Sequence, residues 1–293
     1  MPAHAAPAAL TALASHLRCP NCGSALHPVD RSLGCDRGHR FDLGRQGHVA
    51  LPAPGRGPAP GDSAAMVAAR VDFLTAGHYA PIAAAVIAAA REALGPPGPG
   101  RELVVDSGAG TGYYLAAVLD DRSGAWGLAL DSSRPALRRA VRGHARIAAV
   151  ICDVWQELPV QTGAADLVLN VFAPRNPGEI DRVLAPHGNL ITVTPRSRHL
   201  HQLVTRFGML GVAGDKQERL HSGLAPHLRS VGRRELEFEM TLHPPDVAAL
   251  VAMGPSAHHL DDALVSEAVE ALPTELGVTA AVVIETFGRR VGD

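Results

Sequence analysis

The sequence predicts an α/β protein: a mostly parallel, doubly wound sheet with an antiparallel edge, preceded by a small N-terminal metal-binding module. Three observations predict it. From residue 101 short apolar runs alternate with helical stretches, two further apolar runs close the chain, and Cys, His and Gly crowd residues 18–50 in place of a core. Strand–helix alternation at this spacing is the pattern of parallel strands joined by crossover helices.

The bulk numbers permit such a fold. The chain has 293 residues, 46% of them hydrophobic and 19% charged, ordinary values for a globular protein with a sizeable core. No run approaches the ~18 apolar residues of a membrane span, so no membrane association is expected. The opening MPAHAAPAALTALASHLR lacks a basic start before its apolar stretch and reads as a ragged tail or short helix, not a signal peptide. A cysteine cluster without a disulfide pattern points to the cytoplasm. A net charge of −2 does not by itself argue for nucleic acid. The N-terminus is nevertheless cationic, with Arg18, Arg31, Arg37, Arg40, Arg45 and Arg56 against Asp30, Asp36 and Asp42. Lys216 is the only lysine. Guanidinium suits phosphate contacts, although an Arg-for-Lys coding habit explains the usage equally well.

Three regions follow from the punctuation. Residues 1–55 read as the metal module with its tail. Residues 56–100 read as a linker and helical connection, and 101–293 as the sheet domain. The boundary is LPAPGRGPAPG at 51–61. Two helices are expected in 62–95, the first with Met66, Ala69 and Phe73 on one face, before PPGPG breaks the chain. Buried strands are expected at 102–106, 125–131, 145–153, 165–172 and 188–195, with helices at 112–120, 133–143, 176–185 and 197–211. RELEFEMTL (234–242) and TAAVVIETFG (279–288) are the closing strands, flanking helical pieces.

Cys19-Pro-Asn-Cys22, then Cys35 and His39, form a Cys₃His set. Thiolates and imidazole suit tetrahedral Zn²⁺, and a two-residue gap lets one knuckle present two sulfurs. Gly23 and Gly38 stand where the knuckle turns need positive φ. Four protein ligands leave no open position, so the metal is structural; such sites supply on the order of 10 kcal/mol to modules without a core. Cys152, at the end of an apolar strand, reads as a small core residue and not a nucleophile.

The first strand runs into Asp106-Ser107-Gly108-Ala109-Gly110-Thr111-Gly112 and then a helix. A dinucleotide fingerprint needs glycine where Tyr113 stands. The spacing Asp-x-Gly-x-Gly-x-Gly instead resembles the first motif of class I (Rossmann-like) S-adenosylmethionine methyltransferases. That resemblance makes Asp106, Gly108, Gly110 and Gly112 cofactor-binding candidates. Asp131 ends the second strand, where a carboxylate accepts both ribose hydroxyls. Asp153 ends the third, where it accepts the adenine amino group while Val154 or Trp155 packs on the ring. A helix cap or solvated strand-end acid is the alternative for each. Asn170, in Asn170-Val171-Phe172-Ala173-Pro174, ends the fourth strand beside the expected point of methyl transfer. It is a candidate to touch cofactor and target base; satisfying a turn is the alternative. The segment departs from the Asn-Pro-Pro-aromatic motif of exocyclic-amine methylases, which favours a ring nitrogen, oxygen or carbon as acceptor.

At this point the chain resembles a known family, the bacterial 23S rRNA guanine-N1 methyltransferases of the RlmA type. The resemblance is carried by the Cys₃His set with GHRFDLGRQGHVAL, by MVAARVDFLTAGHYAPI, DSGAGTG, CDVWQELP, NVFAPRNPGEI, NLITVTP and VAMGPSAHHL, in order along nearly the whole chain. The wording of NVFAPRNP and VAMGPS is nearer the tylosin and mycinosyl-macrolide resistance branch, which targets nucleotide 748, than the branch targeting 745. The resemblance implies S-adenosylmethionine and Zn²⁺ as cofactors, hairpin 35 of domain II of 23S rRNA as partner, and often a homodimer. The family's role leaves antibiotic self-resistance and housekeeping both open. Two departures stand out: Ala257-His258-His259 where relatives carry Trp, and Ser107 where they usually carry an apolar residue.

Guanine N1 is protonated at neutral pH and lies on the Watson–Crick edge, so the base must be presented from a loop or flipped out. Asn170, His258 and His259 are the candidates near N1, Tyr79 the candidate cover of the cofactor's methionine end, and Arg37, Arg40 and Arg45 the phosphate contacts. The competing readings are a small-molecule methyltransferase, a zinc-tethered RNA-binding protein on a degenerate Rossmann scaffold, and an oxidoreductase, the last weakened by Tyr113.

Overall fold

The structure is a computed structural model and describes residues 6–55, 61–96, 101–209, 211, 216–254 and 262–290. The Ala/Leu run after Pro7 forms α1 (Ala8–Leu13), followed by a 3₁₀ turn, Ala14–His16. A three-stranded antiparallel ribbon comes next: β1 (His27–Val29), β2 (Ser32–Gly34) and β3 (Arg40–Asp42). The short strand β4 (Val49–Ala50) precedes the Pro/Gly linker.

The expected pair of helices follows as α2 (Ala64–Thr75) and α3 (Ala80–Leu94). Ser63 starts α2 by accepting from the Met66 N–H at 3.2 Å, and α3 stops at Gly95, with φ +64. Then come β5 (Leu103–Ser107), α4 (Tyr113–Asp121), β6 (Trp126–Asp131), α5 (Arg134–Gly143) and β7 (Ile147–Ile151). β8 (Ala165–Val171), α6 (Pro177–Val183) and β9 (Leu184–Pro195) complete the crossovers. Ser133 and Asn176 cap α5 and α6, each with a proline in the first turn. The last third holds α7 (His201–Phe207), α8 (Lys216–Leu224), β10 (Leu228–Leu242), α9 (Pro244–Ala252), α10 (Asp262–Glu270) and β11 (Leu276–Arg289).

One eight-stranded sheet organises the chain, in the order β10-β11-β9-β8-β5-β6-β7-β4. Its core strands are parallel; β11 pairs antiparallel with both β9 and β10. The reversed strand therefore lies one place in from the edge. Order reverses between β5 and β8, the place where a doubly wound sheet leaves a crevice at its carboxyl ends. β5 is buried along its whole length, and its residues alternate between two cores. Val104 joins α2–α5, α7 and α9 on one face; Leu103 and Val105 join α1, the ribbon, α6 and α8 on the other. The ribbon thus shares a core with the sheet. Leu10, Leu17, Leu26, Leu33 and Leu51 are all buried there, each worth about 1.5–3 kcal/mol. β4 extends the sheet by pairing in parallel with β7.

Three elements differ from expectation. The sheet's β4 lies inside the stretch assigned to the metal module, too short for periodicity to reveal. β10 begins at Leu228 and not 234, because its first half is exposed and charged and shows no alternation. The long helix expected over 197–211 is reduced to α7, which starts after Leu200 turns left-handed, φ +56. No single helix among the described residues is long and apolar enough to cross a membrane.

Candidate active site and zinc centre

The metal set converges as its spacing predicts. One ligand atom from each of Cys19, Cys22, Cys35 and His39 lies within 4.8 Å of the others. His39 Nδ1 sits 3.7 Å from Cys19 Sγ and 3.4 Å from Cys35 Sγ, and Cys22 Sγ lies 3.7 Å from Cys35 Sγ. A tetrahedron with Zn–S bonds of ~2.3 Å has edges of about 3.8 Å, so the donors fit zinc in kind and spacing. The knuckles close through Gly23 N–H to Cys19 O at 2.8 Å and Gly38 N–H to Cys35 O at 2.9 Å. Both glycines have positive φ, +76 and +83. The Ser24 hydroxyl and backbone N–H bring the Cys22 thiol down to about 6, favouring the thiolate that metal binding requires, whereas burial raises Cys19. Leu17 and Arg18 bind the ribbon to the segment after β7, with Arg18 N–H donating to Pro159 O at 3.0 Å.

At the switch point the glycine loop leaves β5 with φ of +86, +54 and +76 at Gly108, Gly110 and Gly112. It is stapled from β6. Gly108 and Ala109 donate to Leu130 O at 2.9 and 3.0 Å, and Gly110 donates to Asp131 Oδ2 at 2.7 Å. A Cβ at Gly108 would strike the Ala173 methyl, so loop and β8 end are in contact through the missing side chain. Beside the loop opens a cavity of about 770 Å³, lined among others by Arg70, Tyr79, Asp106, Tyr114, Phe172 and Arg175. Its size suits a nucleoside-class ligand.

Two buried polar atoms of its wall, Asp106 Oδ1 and Tyr114 OH, have no partner. Buried polar groups are normally satisfied. A cationic or donor-bearing ligand at the loop is the missing partner, and the ammonium and sulfonium of S-adenosylmethionine fit that requirement. Burial, helped by the Asp131 charge, pushes Asp106 up to about 8. Tyr79 is buried against the edge of Phe73, ring centroids 5.0 Å apart, and its hydroxyl meets His199 Nε2 at 3.4 Å. Burial raises its pKa as well.

Tyr79, Asp106, Gly108 and Gly110 come together at this cavity; Gly112, Asp131, Asp153, Val154 and Asn170 do not line it. Gly112 caps α4 and packs on Ala140 of α5. Asp131 accepts from Gly110 and Ser133 N–H groups, both at 2.7 Å, so its visible work is holding the loop. Burial raises its pKa. Asp153 accepts from the Trp155 N–H at 3.0 Å, closing a turn. Val154 is buried in the second core and Trp155 is the exposed neighbour, at 61%. Cys152 is buried too.

Asn170, expected at the base, is corrected by the structure. It is wholly buried, and its amide donates to Ser107 O at 3.0 Å and Pro174 O at 2.8 Å while its Oδ1 accepts from Arg175 Nε at 2.9 Å. Both amide hydrogens are spent internally and the carbonyl oxygen holds Arg175, so this side chain braces its neighbours and does not face the cavity. His258 and His259 lie outside the described residues. Arg37, Arg40 and Arg45 are exposed on the ribbon. Sequence reasoning missed Arg175 and His199, both in loops; Arg175 had one signal, its place directly after Asn170–Pro174.

The strand order, the reversed strand beside the edge and the Asp-x-Gly-x-Gly-x-Gly loop define a class I, Rossmann-like methyltransferase, here with a zinc ribbon built into its sheet. Comparisons agree. The zinc-ribbon family model described as "RlmA, N-terminal" matches residues 17–54. The 23S rRNA (guanine(748)-N(1))-methyltransferase of Streptomyces fradiae is 45% identical over 268 residues, covering 91% of this chain and 94% of its own. A Micromonospora griseorubida protein, provisionally named a 23S rRNA (guanine-N(1)-)-methyltransferase, is 47% identical over 284 residues, covering 92% of this chain and 96% of its own. Among solved structures, geranyl diphosphate methyltransferase in complex with SAM aligns with a TM-score of 0.47 at 16% identity, covering 79% of this chain and 93% of that one. The chain belongs to the family of 23S rRNA (guanine-N1) methyltransferases.

Proposed function

We propose that this chain methylates N1 of a guanine in 23S rRNA, using S-adenosylmethionine. We assign the target as nucleotide 748 in hairpin 35 of domain II and the physiological consequence as macrolide resistance of the tylosin type. The observation that carries the cofactor reading is the unpartnered buried Asp106 carboxyl at the glycine loop. Asp106 receives the ammonium of the methionine end, the loop amides line its approach, and Tyr79 walls the methyl-bearing end. Asp131 keeps the loop in shape and offers its remaining lone pairs to the ribose. When bound, the cofactor supplies the electrophilic methyl group. The protein's task is to present N1 in line with it and to exclude water, and positioning of this kind supplies much of the acceleration.

Charge supports an RNA substrate. Arg37, Arg40 and Arg45 are exposed on the ribbon, and Arg134, Arg139 and Arg142 are exposed on α5. The two groups adjoin. After burial, the charges of Arg134 and Arg138 depress the pKa of His48, which follows the ribbon. Guanidinium groups along one surface bind phosphates and set register, while the cavity reads the base. The division into an RNA-recognition module (1–55), a connection (56–100) and a catalytic domain (101–293) belongs to this proposal. So do a cytoplasmic location beside the ribosome and a homodimeric state, which light scattering after size exclusion tests. The biochemical test is methylation of a hairpin-35 transcript, digested to nucleosides: N1-methylguanosine is the expected product, and a different methylated nucleoside overturns the reading.

A further inference from the structure

The reading of guanine N1 as the acceptor leaves a chemical gap. N1 must lose its proton, yet Asp106 is the only carboxylic acid among the described residues lining the cavity, and it stands at the cofactor's end. His199 is not placed to fill the gap: its Nδ1 accepts the Ala281 N–H at 3.1 Å and its Nε2 meets the Tyr79 hydroxyl.

Arg175 sits where that gap is. Its Nε donates to Asn170 Oδ1 at 2.9 Å and its Nη2 to Ala173 O at 3.3 Å, which fixes the plane of the guanidinium. Among the described residues no carboxylate pairs with it. A desolvated guanidinium without a counter-charge is costly, and in a ligand cavity it marks the place of an acceptor the ligand brings. Beside it Phe172 holds φ +53, a strained conformation for a non-glycine residue, and remains 39% exposed with its ring stacked on His199 at 5.7 Å and 22°. Phe172 and Arg175 leave the end of β8, and Pro195 the end of β9, on the side of the switch point away from Asp131. An aromatic face with a fixed planar donor beside it is the lining a flipped purine needs.

We infer that Arg175 is a catalytic residue: it donates to O6 of the target guanine and holds the negative charge that spreads from N1 to O6 when N1 loses its proton. Asn170 is the positioning residue that aims it. This rests on the guanine-N1 reading. The N1 proton goes to water. The N1 electron pair then forms the bond to the methyl carbon as the carbon–sulfur bond breaks onto sulfur, giving neutral N1-methylguanine and S-adenosylhomocysteine. The anion is stabilised electrostatically, so no side-chain base is required.

The test places 6-thioguanosine at the target position of a hairpin-35 RNA, where near-ultraviolet absorbance reports ionisation of N1. Bound to the wild-type protein without cofactor, the thiobase should ionise about one pH unit lower than in free RNA. Arg175→Gln should abolish that shift. With the natural hairpin, Arg175→Gln should lower methyl transfer at pH 7.5 on the order of 10²-fold, with a deficit that narrows as pH rises. Its S-adenosylmethionine affinity by calorimetry should not change. An unshifted thiobase in the wild type overturns the proposal. So does a rate loss equal at every pH, or a loss of cofactor affinity, which would make Arg175 a ligand of the cofactor carboxylate. Should Arg175→Gln not fold, Arg175→Lys, which keeps the charge but not the fork, is read by the same measurements and should fall between. A wild-type product other than N1-methylguanosine counts against the function itself and not against Arg175 alone.

Discussion

Burial raises Asp106 to about 8, so in the ligand-free protein this carboxyl is largely protonated at neutral pH. An ammonium bound against its unpartnered oxygen favours the ionised form. Cofactor binding below pH 8 should therefore release a proton, and affinity should climb from pH 6 towards 8. It should fall again as the α-ammonium, with an ordinary pKa of about 7.7–8.0, loses its charge. Calorimetry in buffers of different ionisation enthalpy reads the proton directly; Asp106→Asn should weaken binding and flatten the acid limb. Stability carries the opposite sign. A carboxyl raised in the folded state stabilises it at low pH, and that contribution is lost as pH rises through about 8, so the ligand-free protein should melt lower at pH 8.5 than at pH 6. Gly108→Ala should cost about 1–3 kcal/mol by urea unfolding, because a left-handed alanine adds to a collision with Ala173. At this scale the metal ligands were fully legible, because a tetrahedral site leaves its mark in spacing. Asn170 was half legible: a polar residue at a strand end is conspicuous, but whether it faces the ligand or braces a neighbour depends on Arg175, which only the fold brings to it.

The ribbon, α1 and β4 are not an appendage. Leu17, Leu26 and Leu33 lie in the same core as Val150 and Leu128 of the sheet. Stripping zinc by chelation, or Cys22→Ser, should then lower the melting temperature of one cooperative transition instead of adding a second, as calorimetry would show. Affinity for the RNA should fall about tenfold, as expected when a few phosphates go without their guanidinium partners. Cofactor affinity should hold, because the cavity lies at β5, β8 and β9 while the ribbon covers the opposite edge. Comparable weakening of both would make the ribbon a general stability element. The five parallel strands were legible because buried parallel strands are continuous apolar runs. β4 is two residues long, and α8, with the sequence KQERLHSGL, has too little apolar surface for a sequence reading to find. α8 nonetheless supplies Leu220 and Gly223 to the cavity, where His221 pins it to the buried Glu285 of β11 at 2.9 Å.

Across the whole molecule, the cationic ribbon adjoins the exposed arginines of α5, and the cavity opens at the switch point between β5 and β8. Replacing Arg40, Arg139 and Arg142 together by Gln should weaken RNA binding and reduce the salt slope by about 0.7–0.9 for each phosphate that a guanidinium no longer neutralises, with methyl transfer at saturating RNA unchanged. Primer extension across hairpin 35 of 23S rRNA, in a host lacking its own methylase and with this gene present or absent, reads the function most directly, because a methyl on N1 blocks Watson–Crick pairing. A stop at guanine 748 that appears only with the gene and vanishes with Asp106→Asn is the expected result. No stop in hairpin 35 with the protein expressed and zinc-loaded, or a methyl group found elsewhere on the RNA, would contradict it.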